Sequence, residues 1–138
     1  VRAHRALLLA AVAIAASLAA SPGARGEDGG RAGGPGTGDA ARGERLFART
    51  CAVCHSPVKG LDKEGPSLAG VYGRRAGAVP FFANYRALRG IDIVWDEQSL
   101  NAWLADPRAF AGRDTTMSVK LVDPQDRADV IAYLKTLE

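Results

Sequence analysis

Five consecutive residues, Cys51-Ala52-Val53-Cys54-His55, constrain this chain more than any other stretch. Two thiols three positions apart, followed directly by an imidazole, form the pattern to which a c-type haem is attached. The spacing has a chemical reason. Each thiol can add to one haem vinyl group. The residue after the second thiol is then held beneath the ring, where its imidazole can bind the iron. The same letters also suit a redox Cys-x-x-Cys pair or part of a zinc site. Zinc fails on ligand count, because it wants four ligands and the only other Cys or His outside Cys51, Cys54 and His55 is His4. A thioredoxin-like pair needs a strand–helix setting in an alternating α/β pattern, and the flanks show none. The expected cofactor is therefore one haem c, covalent through Cys51 and Cys54, with His55 as an iron ligand.

The flanks of the motif divide the chain of 138 residues into three parts. Residues 1–20 read as a secretory signal peptide. Arg2, His4 and Arg5 form a basic start, Ala6 to Ala16 is an unbroken apolar run, and small residues follow, so that cleavage can fall as late as Ala24. An apolar run of about 15 residues is short of the roughly 20 that span a bilayer, so membrane attachment is expected only if this leader stays uncleaved. Residues 21–38 form a Gly-rich linker with too few apolar groups to offset the entropy of ordering it. The folded domain is expected over 39–138. In bacterial systems c-type haem is attached on the outer side of the membrane, so leader and motif together point to the periplasm. A formal charge of +3, without a basic stripe interleaved with aromatics, excludes nucleic acid as a favoured partner.

Within the domain the apolar pattern predicts an all-α fold of three main helices and long loops. Asp39 can cap a first helix running to about Ala52, with Ala40, Gly43, Leu46, Phe47 and Cys51 on one face. A second starts at Asp96, carries Leu100, Trp103 and Leu104 on its buried face, and ends at the Asp106-Pro107 step. The last is capped by Asp123, opens on Pro124 and carries an apolar face of Val130, Ile131, Tyr133, Leu134 and Leu137. Gly43 on a buried helix face implies close approach of another helix, and the last helix is the expected partner. Between Ser56 and Val94 turn residues dominate, with one short helix expected near Tyr85 to Arg89. So long a loop is unusual in a small domain; a haem explains it, because the loops can wrap the ring.

The second iron ligand follows by elimination. Once the leader is set aside, His55 is the only histidine and Met117 the only methionine. A methionine is ordinarily core filler, and that reading stays open for Met117. Its uniqueness and its position in a polar stretch make it the candidate axial partner of His55, since His/Met pairs commonly hold c-type haem.

Residues 39–138 resemble the class I cytochromes c, of the soluble mitochondrial or alphaproteobacterial kind. Gly43 and Phe47 precede the haem motif at that family's spacing. Gly65-Pro66-Ser67-Leu68-Ala69-Gly70-Val71-Tyr72-Gly73-Arg74 is similar to its loop after the motif, and Ala128 to Lys135 is similar to its C-terminal helix. The resemblance implies that the Pro66 carbonyl orients His55. It also implies that Arg74, Trp95 and Thr115 lie near the haem propionates, as further cofactor-binding residues beside Cys51, Cys54, His55 and Met117. Two departures stand out. The family commonly has Tyr-x-Pro-Gly-Thr-Lys-Met before its ligand, whereas this chain has Phe110-Ala-Gly-Arg-Asp-Thr-Thr-Met117, one residue longer and without the proline. With Phe110 at the tyrosine position, the hydroxyl expected to reach the methionine sulfur is lost. In Val79-Pro80-Phe81, Phe81 replaces a usual glycine.

The function implied is that of a periplasmic monohaem electron carrier rather than an enzyme. Its expected donors are a quinol:cytochrome c oxidoreductase or a dehydrogenase, and its expected acceptors a terminal oxidase or a reductase. The carrier is expected to be a monomer. Lys59, Lys63, Arg113 and Lys120 are candidate charges at the edge of the site, with solvated surface as their plainer reading. The alternatives are a haem ligand-binding or peroxidase-like protein with a labile Met117, and an electron-transfer subunit tethered to an oxidoreductase by the Gly-rich tail.

Overall fold

The computed structural model describes residues 36–79 and 85–138. The leader, most of the linker and Pro80 to Asn84, where Phe81 departs from the family, lie outside the described residues. Four α-helices and one short 3₁₀ turn make up the regular structure: α1 (Ala40–Thr50), the 3₁₀ turn (Arg86–Leu88), α2 (Glu97–Ala105), α3 (Pro107–Ala111) and α4 (Pro124–Leu134). No strand occurs among the described residues, only a single antiparallel bridge between Arg75 and Val94.

Each helix starts where an aspartate can occupy the free N–H groups of its first turn. The Asp39 carboxylate accepts from Ala41 and Arg42 N–H at 2.9 and 3.1 Å. Asp96 and Ser99 cap each other, side chain to backbone in both directions, at 2.7 and 2.9 Å. Asp123 accepts from Gln125 N–H, with Pro124 at the first helical position. Asp106 serves twice. It closes α2, and its carboxylate accepts from Arg108 and Ala109 N–H to open α3, again with proline at the first position. The Asp106-Pro107 step, expected only to end α2, also begins α3. Gly112 ends α3 at φ 63°, a left-handed conformation that glycine adopts without steric cost.

The scaffold is the contact of α1 with α4, and two glycines make it possible. A Cβ on Gly43 would lie 2.0 Å from the Asp129 carbonyl oxygen, and one on Gly38 would lie 2.0 Å from that of Ala128. Backbone therefore meets backbone, with the Phe47 and Tyr133 rings 5.2 Å apart beside it. Asp129 is buried in this contact. One carboxylate oxygen accepts from Asp39 N–H at 2.8 Å and from the Gln125 amide at 2.9 Å, and the other lies 2.8 Å from Arg42 Nε. Gly36 and Thr37 also bond to Gln125, so the chain is fastened to α4 three residues before Asp39, within the stretch assigned to the linker.

α1 stops at Thr50, two residues earlier than expected. Cys51 and Ala52 N–H both reach back to the Phe47 carbonyl, after which the chain turns, Cys54 and His55 N–H bonding to the Cys51 carbonyl at 3.0 and 2.8 Å. The cysteine pair thus sits in a turn. α2 packs on α4 and α3. The core runs from Phe47 through Trp95, Leu100, Trp103 and Leu104 to Val130, Ile131 and Leu134.

Candidate cofactor site

One cavity of about 360 Å³ opens inside this core, and Cys51, Cys54, His55 and Met117 all line it. Its size lies in the range of cofactor pockets, about 300–1,000 Å³. Phe47, Leu68, Val71, Trp95 and Trp103 contribute apolar wall. Two thiols, one imidazole and one thioether facing a common apolar space form the donor set that a covalent haem requires, so the residues fit the group. Residues 66 apart in sequence, from Cys51 to Met117, are brought together here by the helix crossing and the loops around it.

His55 is oriented from outside the cavity. Its Nδ1 lies 2.7 Å from the Pro66 carbonyl oxygen. A carbonyl can only accept, so Nδ1 carries the proton and Nε2 keeps its lone pair. Burial lowers the His55 pKa, and the bond to Pro66 opposes that shift in part. The neutral, ligand-competent imidazole is therefore the resting form near pH 7. Gly65 is the residue that lets the backbone pass so close, because a Cβ there would stand 2.3 Å from His55 Cε1. Gly65 N–H in turn bonds to the Cys54 carbonyl at 2.8 Å.

The two thiols differ. Cys51 is buried and Cys54 exposed. Burial, with a smaller contribution from Cys54, pushes the Cys51 thiol up to about 11, so it is protonated at neutral pH.

The expected propionate residues separate into two groups. Arg74 and Trp95 line the cavity. The Arg74 guanidinium donates to the Ser67 and Ala69 carbonyls, both at 3.1 Å, and burial lowers its pKa, opposed by Asp62. Trp95 is buried, stacked on Phe110 with ring centroids 5.8 Å apart. Thr115 stands apart from the cavity wall. Its hydroxyl is shared between the Tyr85 hydroxyl and Met117 N–H, so it braces the methionine loop against the segment around the 3₁₀ turn.

The structure corrects the expectation for the methionine sulfur. Phe110 was expected to leave it without a donor. Instead Trp103 Nε1 donates to Met117 Sδ at 3.1 Å. The apolar pattern places Trp103 only on the buried face of α2. A buried indole N–H needs a partner, and that need was the available signal.

Of the four candidate edge cations, three are engaged. Lys120 pairs with Asp106 at 2.6 Å, Lys63 donates to the Ala52 carbonyl at 2.5 Å, and Arg113 donates to the Arg86 and Arg89 carbonyls, each at 3.3 Å. Lys59 is exposed. No helix among the described residues is long and apolar enough to cross a membrane.

Comparison with known proteins agrees with this geometry. The family model described as Cytochrome c matches residues 40–138. The chain is 42% identical over 101 residues to cytochrome c of Euglena viridis, covering 73% of this chain and 99% of that protein. It is 39% identical over 99 residues to cytochrome c of Chlamydomonas reinhardtii, covering 71% and 88%. With cytochrome c of Theileria parva the identity is 40% over 99 residues, covering 71% and 85%.

Proposed function

This chain belongs to the cytochrome c family, whose members carry electrons on covalent haem c, and we propose that it does so in a bacterial periplasm, as a monomer, with His55 and Met117 as the residues that would ligate the iron. The observation that carries the proposal is the convergence of both thiols, the His55 imidazole and the Met117 sulfur on one apolar cavity. The haem, when bound, supplies one-electron chemistry between ferric and ferrous iron, and a methionine ligand raises its potential.

The chain's own residues do the rest. Cys51 and Cys54 would hold the ring covalently. Pro66 holds the His55 proton on Nδ1, so that Nε2 faces inward. The aromatic and aliphatic walls keep water out, and Arg74 and Trp95 are placed to meet the polar edge of the ring. Val53, 74% exposed, and the exposed Cys54 mark the side from which a redox partner can approach. Such partners bind transiently through small interfaces. Their expected classes are a quinol:cytochrome c oxidoreductase or dehydrogenase as donor and a terminal oxidase or reductase as acceptor. Residues 1–20 as a cleaved signal peptide, residues 21–38 as a tether and 39–138 as the haem domain complete the proposal; the leader-like composition of the N-terminus supports it.

The test is an absorption spectrum of the matured protein, oxidised and reduced, with and without carbon monoxide. The proposal expects the weak near-infrared band of methionine sulfur on ferric haem, and a reduced spectrum that carbon monoxide leaves unchanged. A missing band with rapid carbon monoxide binding would transfer the lead to the ligand-binding reading. Fractionation of cells expressing the full chain tests the periplasmic location.

A further inference from the structure

We propose that Asp62 is a positioning residue for His55, acting through the one peptide unit that joins Pro66 to Ser67, and that it raises the electron donation of the imidazole to oxidised iron. The inference rests on His55 being an iron ligand, as proposed above. Two hydrogen bonds meet on that peptide. Its carbonyl oxygen, on Pro66, lies 2.7 Å from His55 Nδ1. Its N–H, on Ser67, donates to Asp62 Oδ1 at 2.8 Å. Asp62 therefore stands one amide away from the ligand. The peptide is fixed from several sides. Ser67 Oγ donates to the Val58 carbonyl at 2.7 Å, Arg74 Nη2 donates to the Ser67 carbonyl at 3.1 Å, and Ser67 is 6% exposed. Lys63 N–H on the Gly65 carbonyl, at 3.0 Å, closes the turn that brings the carboxylate back to Ser67.

An amide is polarised in its own plane. A carboxylate on the N–H draws the proton outward and pushes electron density onto the oxygen, so hydrogen bonds in series strengthen one another. A carboxylate is also a charge-assisted acceptor, which makes the first bond of the series a strong one. A stronger carbonyl acceptor pulls harder on the Nδ1 proton, and an imidazole held in this way is a more basic ligand at Nε2. Greater basicity favours electron-poor, oxidised iron. Asp62 thus holds the midpoint down, opposite in sign to the Met117 sulfur. Asp62 is exposed, so solvent weakens its field through space, whereas the relay of bonds runs inside the packed loop.

The experiment compares the haem-loaded wild type with Asp62→Ala, Asp62→Asn and Ser67→Ala by redox titration, and follows the His55 Nδ1 proton of the reduced protein by NMR. Asp62→Ala removes charge and acceptor together. It is expected to shift the oxidation equilibrium about threefold toward the ferrous state, a rise in midpoint of about 30 mV at 59 mV per tenfold for one electron. The Nδ1 proton is expected to move upfield as its bond weakens. Asp62→Asn keeps a neutral acceptor for Ser67 N–H and is expected to fall between the wild type and Asp62→Ala in both readouts. Ser67→Ala removes the hydroxyl that ties the loop to Val58 but leaves the peptide N–H, and is expected to keep both values near the wild type. An unchanged Nδ1 proton in Asp62→Ala would overturn the inference. So would equal midpoints in Asp62→Asn and Asp62→Ala, the mark of charge acting through space alone. A shift in Ser67→Ala as large as that in Asp62→Ala would overturn it too, by tracing the effect to loop packing. Ring-current-shifted His55 carbon protons in the reduced wild type uphold the ligand assignment whatever the variants do, and their absence overturns both. Should Asp62→Ala fail to accumulate, Asp62→Asn decides: an upfield Nδ1 proton supports the inference, and an unmoved one refutes it.

Discussion

Between Cys51 and Gly70 the chain is fastened by backbone bonds reinforced by side chains such as Lys63 and Ser67, whereas between Arg113 and Lys120 its ties are made by side chains. In the first region His55 N–H bonds to Cys51, Gly65 N–H to Cys54, Leu68 N–H to Ser56 and Gly70 N–H to Leu137, all carbonyl acceptors at 2.8–2.9 Å. Gly65 lets that backbone close on the imidazole. In the second region the contacts are Trp103 to the Met117 sulfur, Tyr85 to Thr115, Arg113 to two carbonyls and Lys120 to Asp106. The histidine is thus built into the scaffold, and the methionine is tied to it. Backbone bonds in a packed loop open with the fold as a whole, while side-chain ties can release singly. The two ligands should accordingly fail in different ways.

The largest effect is expected on the histidine side. Gly65→Val places a side chain inside the space of the His55 ring and should cost about 3 kcal/mol by overpacking. Thermal melting and the haem spectrum should change together. A stable protein that had lost only its ligand band would break the comparison.

Next comes the scaffold. Asp129→Ala removes the acceptor of Asp39 N–H and Gln125 and the partner of Arg42. Arg42 is partly in solvent, so the loss should be about 2–3 kcal/mol, read as a fall in Tm of roughly 10–20 °C. The methionine band should stay unchanged up to the melt. Its early loss would show that the two regions are coupled.

Thr115→Ala should do the reverse. Loss of its two hydrogen bonds is expected to cost about 1 kcal/mol of stability. It should also speed carbon monoxide binding to the reduced protein by about fivefold. Stopped-flow mixing measures that rate, and an unchanged rate would mean that the loop does not depend on its ties.

The smallest effect concerns pH. The Lys120 ammonium, followed by Ala109 N–H, holds the Asp106 carboxyl below its ordinary range. A depressed folded-state pKa contributes stability above the unfolded value of about 3.9 and loses it as pH falls through the folded one. Asp106→Asn should therefore lie closer to the wild type in acid than at pH 7. Asp106 is at the surface, so the gap will be small. A gap that widened in acid would contradict the assignment.

What could be read in advance follows the same division. Asp39, Asp96 and Asp123 mark their helix starts because a cap is a local interaction, decided within four residues. Gly43 announced a close helix contact because a glycine on a buried face has few other uses. His55 and its thiols were legible because the chemistry demands adjacent residues. Trp103 was not, since its partner lies 14 residues away on an irregular loop, and nothing local distinguishes an indole that donates to sulfur from one that fills the core. Tyr85 and Thr115 were missed as a pair for the same reason. α3 was hidden by a dipeptide that stops one helix and starts the next.

The double role of Asp106 bears on how such a chain can vary. Its carboxylate and Lys120 close one end of the ligand loop, and Leu121 N–H on the Leu104 carbonyl, at 2.8 Å, closes the other strand of the same neck. What lies between is held further by Phe110 on Trp95, Arg113 on the Arg86 carbonyl and Thr115 on Tyr85. The extra residue before Met117 lies between these two closures. A designer wishing to retune the ligand can vary the stretch between Gly112 and Lys120, and leave the neck and the Phe110 packing as the chassis.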